Sequence, residues 1–173
     1  MRDMKTILMA VASLNGMIAR RDGSYDWASK EDKEAFFAVY KQAGCIIIGR
    51  NTYEARKNIP GFPNPACICL VLTHRPFQSD KPNLHPIEAT PREAFAFLEA
   101  RGFTSVVIGG GGQINTEFLR EGLVDEIILD VEPITLGRGI SLFAPEDMQT
   151  KLKLLSVTKL NMSTLQIHYK VLK

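Results

Sequence analysis

Cysteine, tryptophan and histidine are all scarce in this 173-residue chain, with three, one and three residues. An odd number of cysteines does not suit a disulfide framework, and Cys67 and Cys69 are two apart, not the three of a C-x-x-C redox or zinc motif. Side chains i and i+2 of a strand share a face, so these two are expected to pack side by side in a core, with Cys45 also free. Without disulfides the chain reads as cytoplasmic. His74, His85 and His168 are scattered with no ligand spacing, and no metal site is expected. Neither a G-x-S-x-G motif nor a Cys–His cue for nucleophilic catalysis occurs.

Charge of one sign is lacking too. The 21 Lys and Arg against 19 Asp and Glu leave a formal net charge of +2, too balanced to call for a nucleic-acid or membrane partner. No stretch approaches the roughly 20 apolar residues of a membrane helix. Arg2 and Lys5 precede an apolar run, and Ala10-Val11-Ala12 looks like a signal-peptidase site. That triplet lies inside the run, however, where a signal peptide needs an apolar core of roughly 7–15 residues first. The segment reads as a buried strand entering a loop. What remains is ordinary globular composition, 45% hydrophobic and 23% charged, expected as one domain over residues 1–173. A domain of this size buries roughly 70% of its unfolded surface without a structural metal.

Residues 5–13 read as a near-continuous apolar strand with both faces covered. Ser29 is placed as a helix N-cap, with Asp32 three residues on as a short variant of the capping box. Ala35, Phe36, Val39 and Tyr40 then form one apolar stripe, and Gly44 ends the helix. A buried strand over 45–48, a helical turn from Asn51, a proline-rich loop over 60–65 and a strand over 67–73 follow. Pro91 opens a helix running to about Ala100. Then come a strand over 105–108, four glycines, a helix over 113–121, a strand over 126–132 and a hairpin of 154–160 with 164–171. Strands alternating with helices predict an α/β fold: a mostly parallel central sheet, helices on both faces, closed by an antiparallel hairpin.

In such a sheet ligands bind beyond the carboxyl ends of the strands. Gly49, Arg50, Asn51 and Thr52 follow one strand; Thr73, His74 and Arg75 another; Gly109, Gly110, Gly111 and Gly112 a third. Glycines at a strand-to-helix turn let a phosphate approach free N–H groups and a helix dipole. Arg50 and Arg75 offer forked donors to a second phosphate. Pyrophosphate on glycines and a 2′-monophosphate on arginines describe NADPH. Taken singly, the glycine run also fits a structural turn, the arginines and His74 also fit solvated surface, and only their shared position at strand ends joins them. The G-x-G-x-x-G fingerprint of a first βα turn is missing, so a Rossmann enzyme is disfavoured. Asp32, one helical turn from Phe36, suits pairing with an N–H edge or delivering a proton; it equally suits the N-terminus of its own helix. Trp27 fits either core or a lid anchor.

The strings Ala10-Val11-Ala12-Ser13-Leu14-Asn15-Gly16-Met17-Ile18-Ala19, then Trp27, then Gly49-Arg50-Asn51-Thr52-Tyr53-Glu54 resemble the dihydrofolate reductase superfamily. Its riboflavin-biosynthesis reductase branch, the RibD C-terminal domain, is resembled by the glycine run with Phe118-Leu119-Arg120-Glu121-Gly122-Leu123-Val124-Asp125-Glu126. The same holds for Pro133-Ile134-Thr135-Leu136-Gly137-Arg138-Gly139 with Leu142-Phe143. The resemblance implies a dihydrofolate-reductase-like fold. It also implies a cofactor site with Ala12, Asn15 and Ile18 at the nicotinamide, Gly49 to Thr52 at the phosphates, and Thr73, His74 and Arg75 at the 2′-phosphate. Gly109, Gly110, Gly111, Gly112 and Gln113 would close over the pyrophosphate. Asp32 falls where dihydrofolate reductases grip the pterin ring, and Phe36 where they stack it; with Trp27 they would line the substrate.

The departures concern substrate. Region 60–65 carries no arginine where dihydrofolate reductases hold the folate tail. The D-D-P-x-L-T-x-R segment that grips ribose phosphate in the riboflavin branch is replaced by Tyr53-Glu54-Ala55-Arg56-Lys57-Asn58, where Arg56 or Lys57 can substitute, and SLDG reads Ser13-Leu14-Asn15-Gly16. The implied activity is NADPH-dependent reduction, with 5-amino-6-(5-phosphoribosylamino)uracil reduction in riboflavin biosynthesis as the best single expectation. Dihydrofolate reduction is the alternative, and a non-catalytic nucleotide-binding protein is the alternative of another class. A homodimer is implied by the same resemblance.

Overall fold

The computed structural model describes residues 4–173; Arg2, read above as part of a basic flank, lies outside them. The chain runs β1 (Lys5–Ser13), β2 (Met17–Arg20), α1 (Lys30–Ala43), β3 (Cys45–Gly49), α2 (Arg50–Arg56), β4 (Ile68–Leu72) and β5 (Leu84–Ile87). It continues α3 (Pro91–Glu99), β6 (Ser105–Ile108), α4 (Gly112–Arg120), β7 (Glu126–Glu132), β8 (Gly139–Ser141), β9 (Lys151–Lys159) and β10 (Leu165–Leu172). Eight strands make one sheet in the order β5-β4-β3-β6-β1-β7-β10-β9, while β2 and β8 pair separately. Strands β5 to β7 in that order are parallel, and β10 joins β7 and β9 antiparallel. The expected architecture is therefore present.

Two cores cover the sheet. On one face α3 and α4 bring Phe95, Leu98 and Phe118 over Leu8, Ile47, Leu70 and Ile108. On the other, Tyr40 and Ala43 of α1, with Phe36 and Tyr53 packed alongside, cover Met9, Ile46, Ile48 and Val107. Strands with both faces buried read as continuous apolar runs, which is why β3 is Cys-Ile-Ile-Ile. Cys67 and Cys69 lie in the second core. Burial pushes the Cys45 and Cys69 thiols up to about 12, so they serve as packing groups.

The crossovers place the site. After β1 the chain moves outward through β3, β4 and β5 with α1 and α2 on one face; it then returns to insert β6 between β3 and β1, with α3 and α4 on the other. Helices leaving β3 and β6 on opposite faces open a crevice at the ends of these neighbouring strands, the switch point where open α/β sheets take ligands.

The helix ends follow their chemistry. Thr90 forms a full capping box with Glu93 ahead of α3, worth about 1 kcal/mol. Gly44 ends α1 at φ 75°, a left-handed position that suits glycine. Ser29 does cap α1, accepting the Asp32 N–H at 3.1 Å. The return half of the predicted capping box does not form: the Ser29 N–H donates to Glu132 Oε1 at 2.8 Å, because the Asp32 carboxyl turns toward β7.

Three strands had no sequence signal. β5 contains Pro86 and lies at the edge of the sheet, where a missing N–H costs no ladder bond. β2 and β8 are short, and their pairing shifts register between Met17 and Ala19, so neither shows a period. The strand expected over 67–73 is confined to Ile68–Leu72.

Candidate functional site

The phosphate-suited end is built on backbone. The Gly49 N–H donates to the Gly110 carbonyl at 2.7 Å and the Gly109 N–H to the Ile47 carbonyl at 2.9 Å, tying the β3 exit to the glycine run. A β-carbon at Gly49 would stand 2.9 Å from Ile114 Cγ1, and one at Gly109 2.6 Å from Ile46 Cδ1. Close approach leaves no room for a side chain at either. One at Gly111 would lie 3.4 Å from Thr52 Oγ1, so α2 and the glycine run face each other there. Neither α2 after Gly49 nor α4 after Gly111 has a side-chain cap. At the start of α4, where no side chain caps the first N–H groups, an anion can take that place. Asn115 Oδ1, buried and unpartnered, lies on the Gly110 side of this cradle. A pyrophosphate suits such donors, and Gln113 is exposed in the first turn of α4.

Arginines flank it. Arg50 is paired with Glu54 at 2.6 Å, lies over the Phe77 ring at 4.3 Å and reaches the Arg75 carbonyl at 3.5 Å. The turn after β4 is folded on itself, Thr73 Oγ1 accepting the Arg75 N–H at 3.2 Å. Arg75 is exposed and His74 is nearly fully so, its Nδ1 3.3 Å from Glu88 Oε1. The structure thus brings Arg50, Thr73 and Arg75 to one rim, while His74 points to its own surface partner.

Where the resemblance sets the nicotinamide, Ala12 is buried at the end of β1 and Ile18 is half-buried on β2. Asn15 is committed to the protein: Nδ2 donates to the Leu136 carbonyl at 2.6 Å and Oδ1 accepts the Leu136 N–H at 3.0 Å. It pins the loop after β1 to the loop after β7.

The remaining end is acidic and closed. Asp32 is 5% exposed, Asp130 0% and Glu132 4%. Asp130 and Glu132 alternate along β7, so both point to the α1 face under Asp32. Glu132 is fully used, accepting from Ser29 N–H and, at 2.8 Å, from the Thr164 hydroxyl. Asp130 is not: no N–H or hydroxyl makes a well-formed hydrogen bond to either oxygen. What faces it is the Asp32 carboxyl, with the Gln166 amide beside it. Burial, then the Asp130 carboxyl against it, push the Asp32 acid up to about 8; Glu132 adds to this and Arg56 opposes it. Burial also raises Asp130. Two carboxylates in contact away from water cannot both ionise near neutrality.

Arg56, in the last turn of α2, lies over Tyr25 at 5.4 Å and Phe36 at 5.0 Å. Its Nε is buried without a partner, as is the indole N–H of Trp27 in the loop entering α1. The Arg56 guanidinium over Phe36 and the Asp32 carboxyl one helical turn from that ring, pushed up by burial, suit a planar polar ring. Among the described residues no three His, Cys, Asp or Glu side chains are set to hold a metal.

Asp130 and Glu132 were missed in the sequence. Two acids two apart in the otherwise apolar Ile127-Ile128-Leu129-Asp130-Val131-Glu132 were the available signal. They share a strand face, which an apolar core does not tolerate without purpose.

The family model for the RibD C-terminal domain matches residues 4–165. The chain is 35% identical over 169 residues to the uncharacterized protein YwjB of Bacillus subtilis, covering 95% of this chain and 97% of that one. A putative riboflavin biosynthesis protein of Shewanella sp. PV-4 superposes with a TM-score of 0.85 at 24% identity, over 98% of this chain and all of that one. Dihydrofolate reductase of Enterococcus faecalis, solved with NADP(H) and RAB-propyl, gives a TM-score of 0.71 at 20% identity over 98% of this chain and 97% of that one.

Proposed function

Since the chain belongs to the RibD C-terminal domain family, a family of reductases, we propose that it is an NADPH-dependent reductase of a C=N or masked C=O group. The observation that carries this reading is Asp32: a carboxyl 5% exposed at the start of α1, pushed up by burial, in a fold that also places an uncapped glycine cradle at the strand exits. When bound, NADPH supplies the hydride. The chain supplies orientation and a proton. Gly49, Arg50, Asn51, Thr52 and the run 109–112 would hold the phosphates, with Gln113 over them; Arg50, Thr73 and Arg75 would flank the 2′-phosphate. Ala12 and Ile18 would wall the nicotinamide, with Asn15 fixing their loop. Trp27, Phe36 and Arg56 would frame the substrate ring, and Asp32 would protonate the atom next to the carbon reduced.

The favoured substrate is a ribosylamino-pyrimidine, as in riboflavin biosynthesis, with Arg56 in place of the family's ribose-phosphate segment. Dihydropteridines are the second candidates, because Asp32 and Phe36 share one face of α1. Fluorescence titration with NADPH and NADH, followed by NADPH oxidation across both substrate sets, tests the proposal. Preference for NADPH and turnover of one set support it. Binding without oxidation favours a nucleotide-binding protein, and no binding of either cofactor overturns the reading.

The homodimer is proposed on β9, an edge strand exposed throughout with Leu152, Leu154, Leu155 and Val157 in the open. Light scattering on the eluting protein reads it, and a monomer at micromolar concentration would rule it out.

A further inference from the structure

The acid end contains more carboxyl groups than a single proton donor needs. Glu132 has a structural task, holding Ser29 and Thr164. Asp130 ties no other element down: it is completely buried, in register between Val11 of β1 and Gln166 of β10, and the Gln166 amide and the Asp32 carboxyl are the polar groups set against it, neither at close hydrogen-bond geometry. A carboxylate so placed would cost several kcal/mol unless its charge were shared or neutralised. The group against it is Asp32.

We propose that Asp32 and Asp130 work as one acid holding a single proton between them. Asp32 is the member able to pass it to substrate, and Asp130 is a positioning residue that keeps it on the pair at neutral pH. The groups that face the pair are few. β7 contributes Glu132, α2 contributes Arg56 and β10 contributes the uncharged Gln166; β1 faces it with Val11. Arg56 is the cation set against this group of carboxyls, and one cation offsets one negative charge. With Glu132 bonded to its two donors, the two aspartates balance best with one proton. The protons then leave in two steps that belong to the pair. After a transfer to substrate, the proton that returns from solvent is again shared between the two carboxyls.

Proton sharing stands on the protein alone, whereas transfer to substrate rests on the reductase reading. The test separates the two. Carboxyl ¹³C NMR of protein labelled at aspartate, without cofactor or substrate, should show one aspartate titrating above pH 6 and a coupled step well below it. Asp130→Asn, which keeps shape and removes charge, should lower the Asp32 midpoint by at least one pH unit. The upper limb of the kcat/KM–pH profile should move with it. Asp32→Asn should collapse the two steps into one.

A merely structural role for Asp130 would change the melting temperature and leave the Asp32 midpoint in place. All aspartates titrating below pH 5, or an Asp32 midpoint unmoved in Asp130→Asn, overturns the proposal. If that variant does not fold, an upper step persisting unchanged in Asp32→Asn overturns it equally. Failure of the reductase reading appears elsewhere, as absent NADPH binding with the carboxyl titration intact.

Discussion

The two ends of the cleft follow opposite rules. The phosphate-suited end is made of backbone at strand exits, flanked by arginines that stay at least partly in water. The acid end is made of three carboxyl side chains withdrawn from water, held by partners from α1, β7 and β10. An exposed charge contributes little to stability and much to recognition at a distance. A buried one reverses that balance, since its protonation state and its environment determine each other. Selectivity for the cofactor should therefore be separable from stability, while chemistry and stability should not be.

The largest effect expected is on rate. Asp32→Asn should lower kcat/KM by about 10²–10⁴, the usual contribution of a positioned acid, with NADPH affinity nearly intact; equal losses in both would remove Asp32 from the chemistry. The next effect is on pH dependence. Asp32 has an ordinary value of 3.8 and about 8 when folded, so between those values the folded chain holds a proton that the unfolded chain releases. Stability from this group is complete below about pH 4 and is lost as pH rises toward 8, at a slope of up to about 1.4 kcal/mol per pH unit. Urea unfolding at pH 5, 6, 7 and 8 should show a shallower fall in Asp32→Asn, and parallel lines would contradict the buried acid.

Smaller again is Glu132→Ala, which strands the Ser29 N–H and the Thr164 hydroxyl and should cost about 1–3 kcal/mol. A change below about 0.5 kcal/mol would mean that water replaces both contacts. The smallest effects belong to the opposite end. Arg50→Ala or Arg75→Ala should narrow the NADPH-over-NADH preference, by about tenfold if each carries one charge-assisted contact. Stability should shift by no more than about 0.5 kcal/mol, because the Arg50–Glu54 pair is itself partly exposed. A large stability loss there would break the contrast between the ends.

The same contrast decided what the sequence could reveal. Gly49, Arg50 and the run 109–112 are consecutive and follow apolar strands, so local order alone placed them at one end of the sheet. The start of α1 was legible from Ser29 and its end from Gly44, because caps are local chemistry. The acid end joins residues 98 apart, Asp32 and Asp130, and no local pattern predicts that the start of α1 meets β7. Asn15 was placed at the cofactor, yet its amide is spent on Leu136, a partner fixed only when two loops meet. The short strands β2, β5 and β8 were hidden for the same reason: each owes its conformation to the strand beside it.

The turn between β9 and β10 reaches beyond Glu132. Asn161 Nδ2 lies 3.2 Å from Glu31 Oε2 on α1, and its Oδ1 accepts the N–H groups of Ser163 and Thr164. The hairpin tip and the first turn of α1 are thereby tied together, although they are more than 120 residues apart in sequence, and should open as one unit. Their amides should exchange with solvent at matched rates, slower than an exposed turn would by itself, and an event that frays the hairpin will loosen the acid end before it disturbs the glycine cradle.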